Sequence, residues 1–112
     1  MTNISYSKNS VTIAGVTITL EHVVLIAFEL KGKVIVLFDP DEYIPKFGQF
    51  NNFIALDLEG AKMWEAELPT TETGDCYFKV SSREPLIVNS YKSYVCEIDS
   101  DTGKIISKNF TK

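Results

Sequence analysis

The chain has 112 residues, of which 45% are hydrophobic and 23% are charged, and its formal net charge is −4. A chain of this length fits a single domain, here 1–112, and its apolar content argues against intrinsic disorder. The acidic excess argues against nucleic acid and anionic membranes as partners.

Apolar and polar residues alternate along most of the chain, which is the pattern of half-buried β-strands. The pattern first appears in "VTITL" at 16–20, and "VVLIAFEL" at 23–30 would place Val24, Ile26, Phe28 and Leu30 on one face. "KVIVLF" at 33–38 is apolar on both faces, so we expect a strand that is covered on both sides. Further strands are predicted at 53–58, 62–68, 76–80, 86–90, 94–98 and 104–110.

A short hairpin motif occurs twice. "IAFELKG" at 26–32 aligns without gaps on "IALDLEG" at 54–60, and "CEIDSDTG" at 96–103 is a looser third copy. In each copy alternate apolar residues are expected to enter the core, and the glycine is expected to supply the positive φ of a tight turn. The class predicted by these patterns is all-β.

The longer segments around two of the copies carry a resemblance. "PLIVNSYKSYVCEIDSDTGKIIS" at 85–107 resembles the blade repeat of quinoprotein-type β-propellers, and 33–69 shows the same order with Trp64 at the usual tryptophan position. A closed propeller needs at least four blades of four strands each, and this chain is long enough for about two. We therefore expect two packed antiparallel sheets of about four strands each, a half-propeller or propeller-like sandwich, as a monomer rather than a ring-forming oligomer.

The residues that could support catalysis are few. His22 is the only histidine, so any mechanism based on histidine must use it, and its neighbours in "LEHV" suggest an ordinary turn residue. Cys76 and Cys96 are interpreted as two separate buried thiols. The loop "DSDTG" at 99–103 departs from the calcium-binding pattern because Lys104 stands where that pattern needs glycine. We predict a protein that is not an enzyme and has no metal or cofactor.

Acidic residues are concentrated in the middle of the chain. Residues 39–75 hold nine acidic and two basic residues, a net charge of −7, whereas the remainder carries +3. The loop "DPDEYIPKFGQFNN" at 39–52 combines carboxylates with aromatic rings, and "ELPTTETGDCY" at 67–77 is expected nearby. Carboxylates beside aromatic anchors suit a basic protein partner. The predicted partner-binding residues are Asp39, Asp41, Glu42, Tyr43, Phe47, Phe50, Glu72 and Asp75. In the alternative interpretation the rings fold back onto the sheet edge and the acids only solvate the loop.

In size, acidity and expected architecture the chain resembles bacterial immunity proteins, including those of contact-dependent growth inhibition systems. This resemblance implies an inhibitor that covers the active site of a basic toxin, often a nuclease, with carboxylates where the nuclease binds phosphate. The polar N-terminus shows no signal peptide, which predicts a cytoplasmic protein. The alternative is a propeller-like protein-interaction or scaffold module without an inhibitory role.

Overall fold

The computed structural model describes residues 3–41 and 48–111, and all the regular secondary structure within these ranges is β-strand. The strands are β1 (Ile4–Ser7), β2 (Ser10–Ile13), β3 (Val16–Thr19), β4 (Val24–Leu30), β5 (Lys33–Phe38), β6 (Phe53–Leu56), β7 (Lys62–Glu65), β8 (Tyr77–Ser82), β9 (Ile87–Ser90), β10 (Tyr94–Ile98) and β11 (Ile105–Phe110). The all-β class is confirmed. Across the same ranges, no helix is long and apolar enough to cross a membrane.

The strands form three antiparallel sheets, and in each of them the strands follow one another in chain order. The central sheet holds β4 to β7, and the C-terminal sheet holds β8 to β11. These are the two four-stranded sheets that the sequence predicted, and the two long repeat copies fall on equivalent strands, β5 to β7 and β9 to β11. The N-terminal sheet, β1 to β3, is an addition to that expectation.

The central sheet is covered on both faces. In β5 every residue is buried, and its side chains alternate between two apolar clusters. Ile35 and Leu37 pack toward the C-terminal sheet, whereas Val34 and Val36 pack toward the N-terminal sheet. Period-2 alternation sends successive side chains to opposite faces. The expectation of a strand covered on both sides is therefore confirmed.

A bulge changes the predicted face of one residue. The pairing of β4 with β5 shifts between Val24 and Ile26, so that Leu25 is the extra residue and is largely exposed. Phe28 and Leu30 face the C-terminal sheet as expected, but Val24 lies in the cluster under the N-terminal sheet. The prediction that Val24 shares their face was wrong because one additional residue reverses the alternation.

Trp64 joins the central sheet to the C-terminal sheet. Its indole Nε1 donates a hydrogen bond of 3.0 Å to the carbonyl of Ser100, in the turn between β10 and β11. Its ring lies 8% exposed in the same cluster as Ala66, with Leu68 packed against that cluster, which confirms the face predicted for these three residues. Trp64 therefore acts as a contact between the central and C-terminal sheets.

Candidate functional site

Asn52 anchors the end of the acidic loop, residues 39–52, to the strands on either side. Its Nδ2 donates to the carbonyls of Phe38 at 3.0 Å and Tyr77 at 2.6 Å, and its Oδ1 accepts from the backbone N–H of Tyr77 at 2.9 Å. The side chain is fully buried. One amide thus ties the end of β5 to the start of β8. Nothing in the polar segment around Asn52 distinguished it from a solvated asparagine.

The beginning of the loop holds two of the predicted carboxylates in a defined turn. The backbone N–H of Asp39 donates to the carbonyl of Val23 at 2.8 Å. Asp39 Oδ1 then accepts from the backbone N–H of Asp41 at 2.9 Å, which is an Asx turn. Asp39 is half-buried and Asp41 is exposed. Local hydrogen bonding therefore fixes the backbone that carries both carboxylates.

Two aromatic residues that the sequence interpretation missed form an exposed stacked pair, and one of them, Tyr91, is coupled electrostatically to these carboxylates. Tyr91, in the turn between β9 and β10, stacks on Phe78 with ring centroids 5.0 Å apart and an interplanar angle of 16°. The rings are 49% and 36% exposed. The pKa of Tyr91 is raised, first by partial burial and then by the charge of Asp41, with smaller contributions from Cys76 and Asp39. The charges of both loop carboxylates therefore act on the phenol, and that of Asp41 acts more strongly than that of Asp39.

We call Asp39, Asp41, Phe78 and Tyr91 the acidic–aromatic surface. A sequence signal for Phe78 existed, because alternation in "CYFKV" sends Tyr77 inward and Phe78 outward. Tyr91 follows a strand and lies in a short turn, where the alternation of a strand does not predict whether a side chain is buried or exposed. Only the three-dimensional packing of β8 against that turn brings the two rings together.

The second acidic stretch lies against the far end of the loop, as expected. The backbone N–H of Gly74 donates to the carbonyl of Gly48 at 2.8 Å. The side-chain amide of Gln49 donates to the carbonyls of Thr70 at 2.6 Å and Glu72 at 3.1 Å. The Glu72 side chain is exposed. Glu72 therefore borders the same loop at its opposite end from Asp39.

Two predicted partner-binding residues are buried and need correction. Phe50 is 5% exposed, and its ring packs against His22 and Phe38, with centroids 4.8 Å and 6.5 Å away. Of the two alternatives for this ring, folding back onto the sheet is therefore the one observed. Asp75 is fully buried, and its Oδ2 accepts from the Thr70 hydroxyl at 2.7 Å. Apolar burial explains the position of Phe50 without a partner protein, whereas Asp75 Oδ1 is buried and has no hydrogen-bond partner among the described residues.

The remaining predicted residues of the loop, Glu42, Tyr43 and Phe47, lie outside the described residues. Their assignment to partner binding stays a prediction. Of the eight residues proposed from the sequence, the structure places Asp39 and Asp41 together and Glu72 at the other end of the same loop.

Both cysteines are free and buried, as interpreted from the sequence. Cys76 lies under the N-terminal sheet, and Cys96 faces the cluster between the other two sheets. Burial raises the pKa of Cys76 to about 11, with smaller contributions from Asp75 and Asp41, and burial also raises the pKa of Cys96. Both thiols are thus held in the protonated form at neutral pH, which does not favour a nucleophile.

A comparison with protein-family models finds a match over nearly the whole chain. A family model described as "Domain of unknown function (DUF7957)" matches residues 1–110. No curated protein matches the chain.

Proposed function

The chain belongs to the DUF7957 family, and from the surface that it presents we propose that it binds a basic protein partner. The observation that carries this proposal is the exposed stacked pair of Phe78 and Tyr91, together with the charges of Asp41 and Asp39, which raise the pKa of the Tyr91 phenol. Neither feature alone suggests a partner as specifically as the two together.

The chemistry of this surface suits lysine and, above all, arginine. Carboxylates attract a cation over a distance and accept its hydrogen bonds, and an aromatic face binds a guanidinium through its quadrupole. Tyrosine is also enriched among the residues that dominate interface energies. An arginine that lies on the Phe78–Tyr91 pair can reach the Asp41 carboxylate, because that carboxylate already influences the Tyr91 phenol.

The backbone around the surface is held in place before binding. The Asx turn at Asp39 and the buried Asn52 amide hold the described parts of the loop on which these two residues lie. Restrained segments lose less conformational entropy when they bind, so more of the interaction energy appears as affinity. Glu72 extends the negative potential to the far end of the loop.

The narrower form of the proposal is an inhibitor of a basic toxin nuclease, in which the loop carboxylates take the place of substrate phosphates. The acidity of residues 39–75, net −7, supports this form. An interaction module without an inhibitory role would use the same surface. The two differ in one observable, because only the inhibitor abolishes the nuclease activity of its partner.

The test is co-expression with the product of the adjacent gene, followed by affinity purification at low and high salt. We expect co-purification that weakens as the ionic strength rises, and that is lost in the variant D39N/D41N/Y91A. A matched control, E59Q/E84Q/Y6A, changes two exposed acids and one exposed tyrosine elsewhere. If both triple variants bind the neighbouring product equally well, the acidic–aromatic surface is not the binding site.

A further inference from the structure

The segment 70–75, in the connection between β7 and β8, is closed by the side chain of Asp75. Its carboxylate Oδ2 accepts from the Thr70 hydroxyl at 2.7 Å, and that hydroxyl accepts from the backbone N–H of Glu72 at 3.2 Å. The backbone N–H of Phe50 donates to the carbonyl of Asp75 at 3.2 Å. The Asp75 carboxylate is therefore held in a fixed position between this segment and the far end of the acidic loop.

One oxygen of this carboxylate has no partner. Asp75 is fully buried, and its Oδ1 accepts no hydrogen bond from any residue in the described ranges. Neither of the two ion pairs found among those residues includes Asp75. Burying a carboxylate oxygen without a donor or a cation is costly, so such an atom indicates a bound species at the site.

Further oxygen atoms converge at the same segment. The carbonyls of Thr70 and Glu72 both accept from Nε2 of Gln49, at 2.6 Å and 3.1 Å. Two carbonyl oxygens that share one donor point at one position. Thr70 also links this position to the carboxylate, since its hydroxyl contacts Asp75 while its carbonyl contacts the Gln49 amide. The NH₂ group of Gln49 therefore occupies a place that suits a cation.

The Gln49 side chain can act as a donor or as a ligand. Its terminal amide carries a carbonyl oxygen and an NH₂ group of nearly the same shape, so a half-turn of the amide exchanges one for the other. With the oxygen turned inward, Gln49 Oε1 joins the two carbonyls and Asp75 Oδ1. The carboxylate of Glu72 lies on the same segment and is exposed. This set consists entirely of oxygen atoms and carries two negative charges.

The chemistry of this set favours calcium. Calcium takes about six to eight oxygen ligands from carboxylates, backbone carbonyls, side-chain amides and water in flexible geometry, whereas magnesium demands a near-ideal octahedron and keeps several waters. In residues 3–41 and 48–111, no group of three or more His, Cys, Asp and Glu side chains is placed to hold a metal ion. An ion at this segment must therefore be held largely by carbonyl oxygens, which suits calcium better than zinc.

We propose that the segment 70–75 binds a calcium ion between Asp75, Gln49 and the carbonyls of Thr70 and Glu72. Asp75 supplies the buried charge, and the Glu72 carboxylate and water complete the ligands from the solvent side. The sequence predicted no metal because backbone carbonyls carry no sequence signal, and only the fold brings Gln49 to this segment. The bound ion ties the far end of the acidic loop to the connection before β8.

The test is unfolding by urea of the protein, first treated with EDTA, with and without calcium chloride. A ligand that binds only the folded protein raises the folding equilibrium constant by one plus the ratio of its concentration to its Kd. For a Kd of about 1 mM, at the weak end of calcium sites, about 10 mM calcium chloride should raise this constant about tenfold. Magnesium chloride at the same concentration should raise it less than about twofold. Asp75→Asn should abolish the response to calcium, and the exposed Glu59→Gln should keep it.

A second variant keeps the proposal testable if Asp75→Asn does not fold. Gln49→Glu sets a carboxylate against the two carbonyls, so it should be less stable than the wild type without calcium and should bind calcium at least about threefold more tightly. Asn51→Asp adds the same charge at an exposed neighbouring position and should bind calcium as the wild type does. No response of the wild type to calcium, an equal response in Asp75→Asn, or equal tightening in Gln49→Glu and Asn51→Asp would overturn the proposal. The proposed partner binding would survive that outcome, because the acidic–aromatic surface contributes no ligand to this site.

Discussion

The indole of Trp64 lies directly against Gly103, so that a Cβ built on Gly103 would come within 2.6 Å of Trp64 Cε3. The ring of one sheet thus occupies the space that a side chain would take in the turn of the next sheet. Ile18 and Gly60 have the same relationship between the N-terminal and central sheets. Each turn glycine in the two later repeat copies therefore receives a side chain from the preceding sheet.

This contact predicts that Gly103→Ala is more destabilising than an ordinary glycine substitution. The φ of Gly103 is +77°, so alanine would be strained there and would also displace Trp64. We expect a loss of about 3 kcal/mol in the free energy of unfolding by urea. Gly15→Ala is the matched control, since Gly15 has φ +86° but nothing within 4 Å, and it should cost about 1 kcal/mol. Equal losses would show that the Trp64 contact contributes nothing.

The Asn52 amide predicts a second large effect. Asn52→Ala leaves two carbonyls and one N–H without their partner in a buried site, and we expect a loss of about 3 kcal/mol. The neighbouring Asn51→Ala removes an exposed amide and should change stability by less than about 0.5 kcal/mol. Chemical denaturation of both variants measures the difference. A small effect at Asn52 would mean that the loop does not depend on this anchor.

The coupling of Tyr91 to Asp41 predicts a pH-dependent signature. Burial and the loop carboxylates disfavour the tyrosinate, so the pKa of Tyr91 is raised above its ordinary value. Because the folded-state pKa is the higher one, the stabilisation from Tyr91 is complete below the ordinary pKa and is lost as the pH rises through the raised one. In an NMR titration we expect Tyr91 to ionise at a higher pH in the wild-type protein than in the variant Asp41→Asn. Identical titration curves of the two proteins would show that the Asp41 carboxylate does not influence the pKa of Tyr91.

The edge of the C-terminal sheet predicts a monomer. The Glu67 carboxylate accepts from the backbone N–H of Ile105 at 2.8 Å, and Lys108 donates to the carbonyl of Pro69 at 2.7 Å. The start of β11 is thus covered by the chain itself, and lysine on an edge strand discourages pairing with another copy. Sedimentation equilibrium should give the mass of one chain. A stable multimer would instead support a ring built from several copies.

The part of the fold that could be read from the sequence is the part that depends on local alternation. "KVIVLF" indicated its own burial on both faces, and the face shared by Trp64 and Ala66 followed from period 2. Val24 escaped this reasoning because a bulge is set by pairing with β5, which the residues of β4 alone do not reveal.

The residues of the candidate site were harder to predict from the sequence, because they too depend on contacts between distant segments of the chain. Asp39 and Asp41 stood out by composition, whereas their aromatic neighbours come from β8 and from the β9–β10 turn, far along the chain. The burial of Phe50 likewise depends on contacts with His22 and Phe38, which lie far from it along the chain. A loop rich in acids and rings identifies candidates, but only packing decides which of them face solvent.

The most direct test of the proposed partner surface is a ¹H–¹⁵N NMR titration of the wild-type protein with tetra-arginine peptide at low and high salt. The proposed function predicts the largest shifts at Asp39, Asp41, Phe78 and Tyr91, with binding that weakens as salt screens the carboxylates. Shifts that centre instead on the acids of the β6–β7 hairpin, Asp57, Glu59 and Glu65, would contradict it.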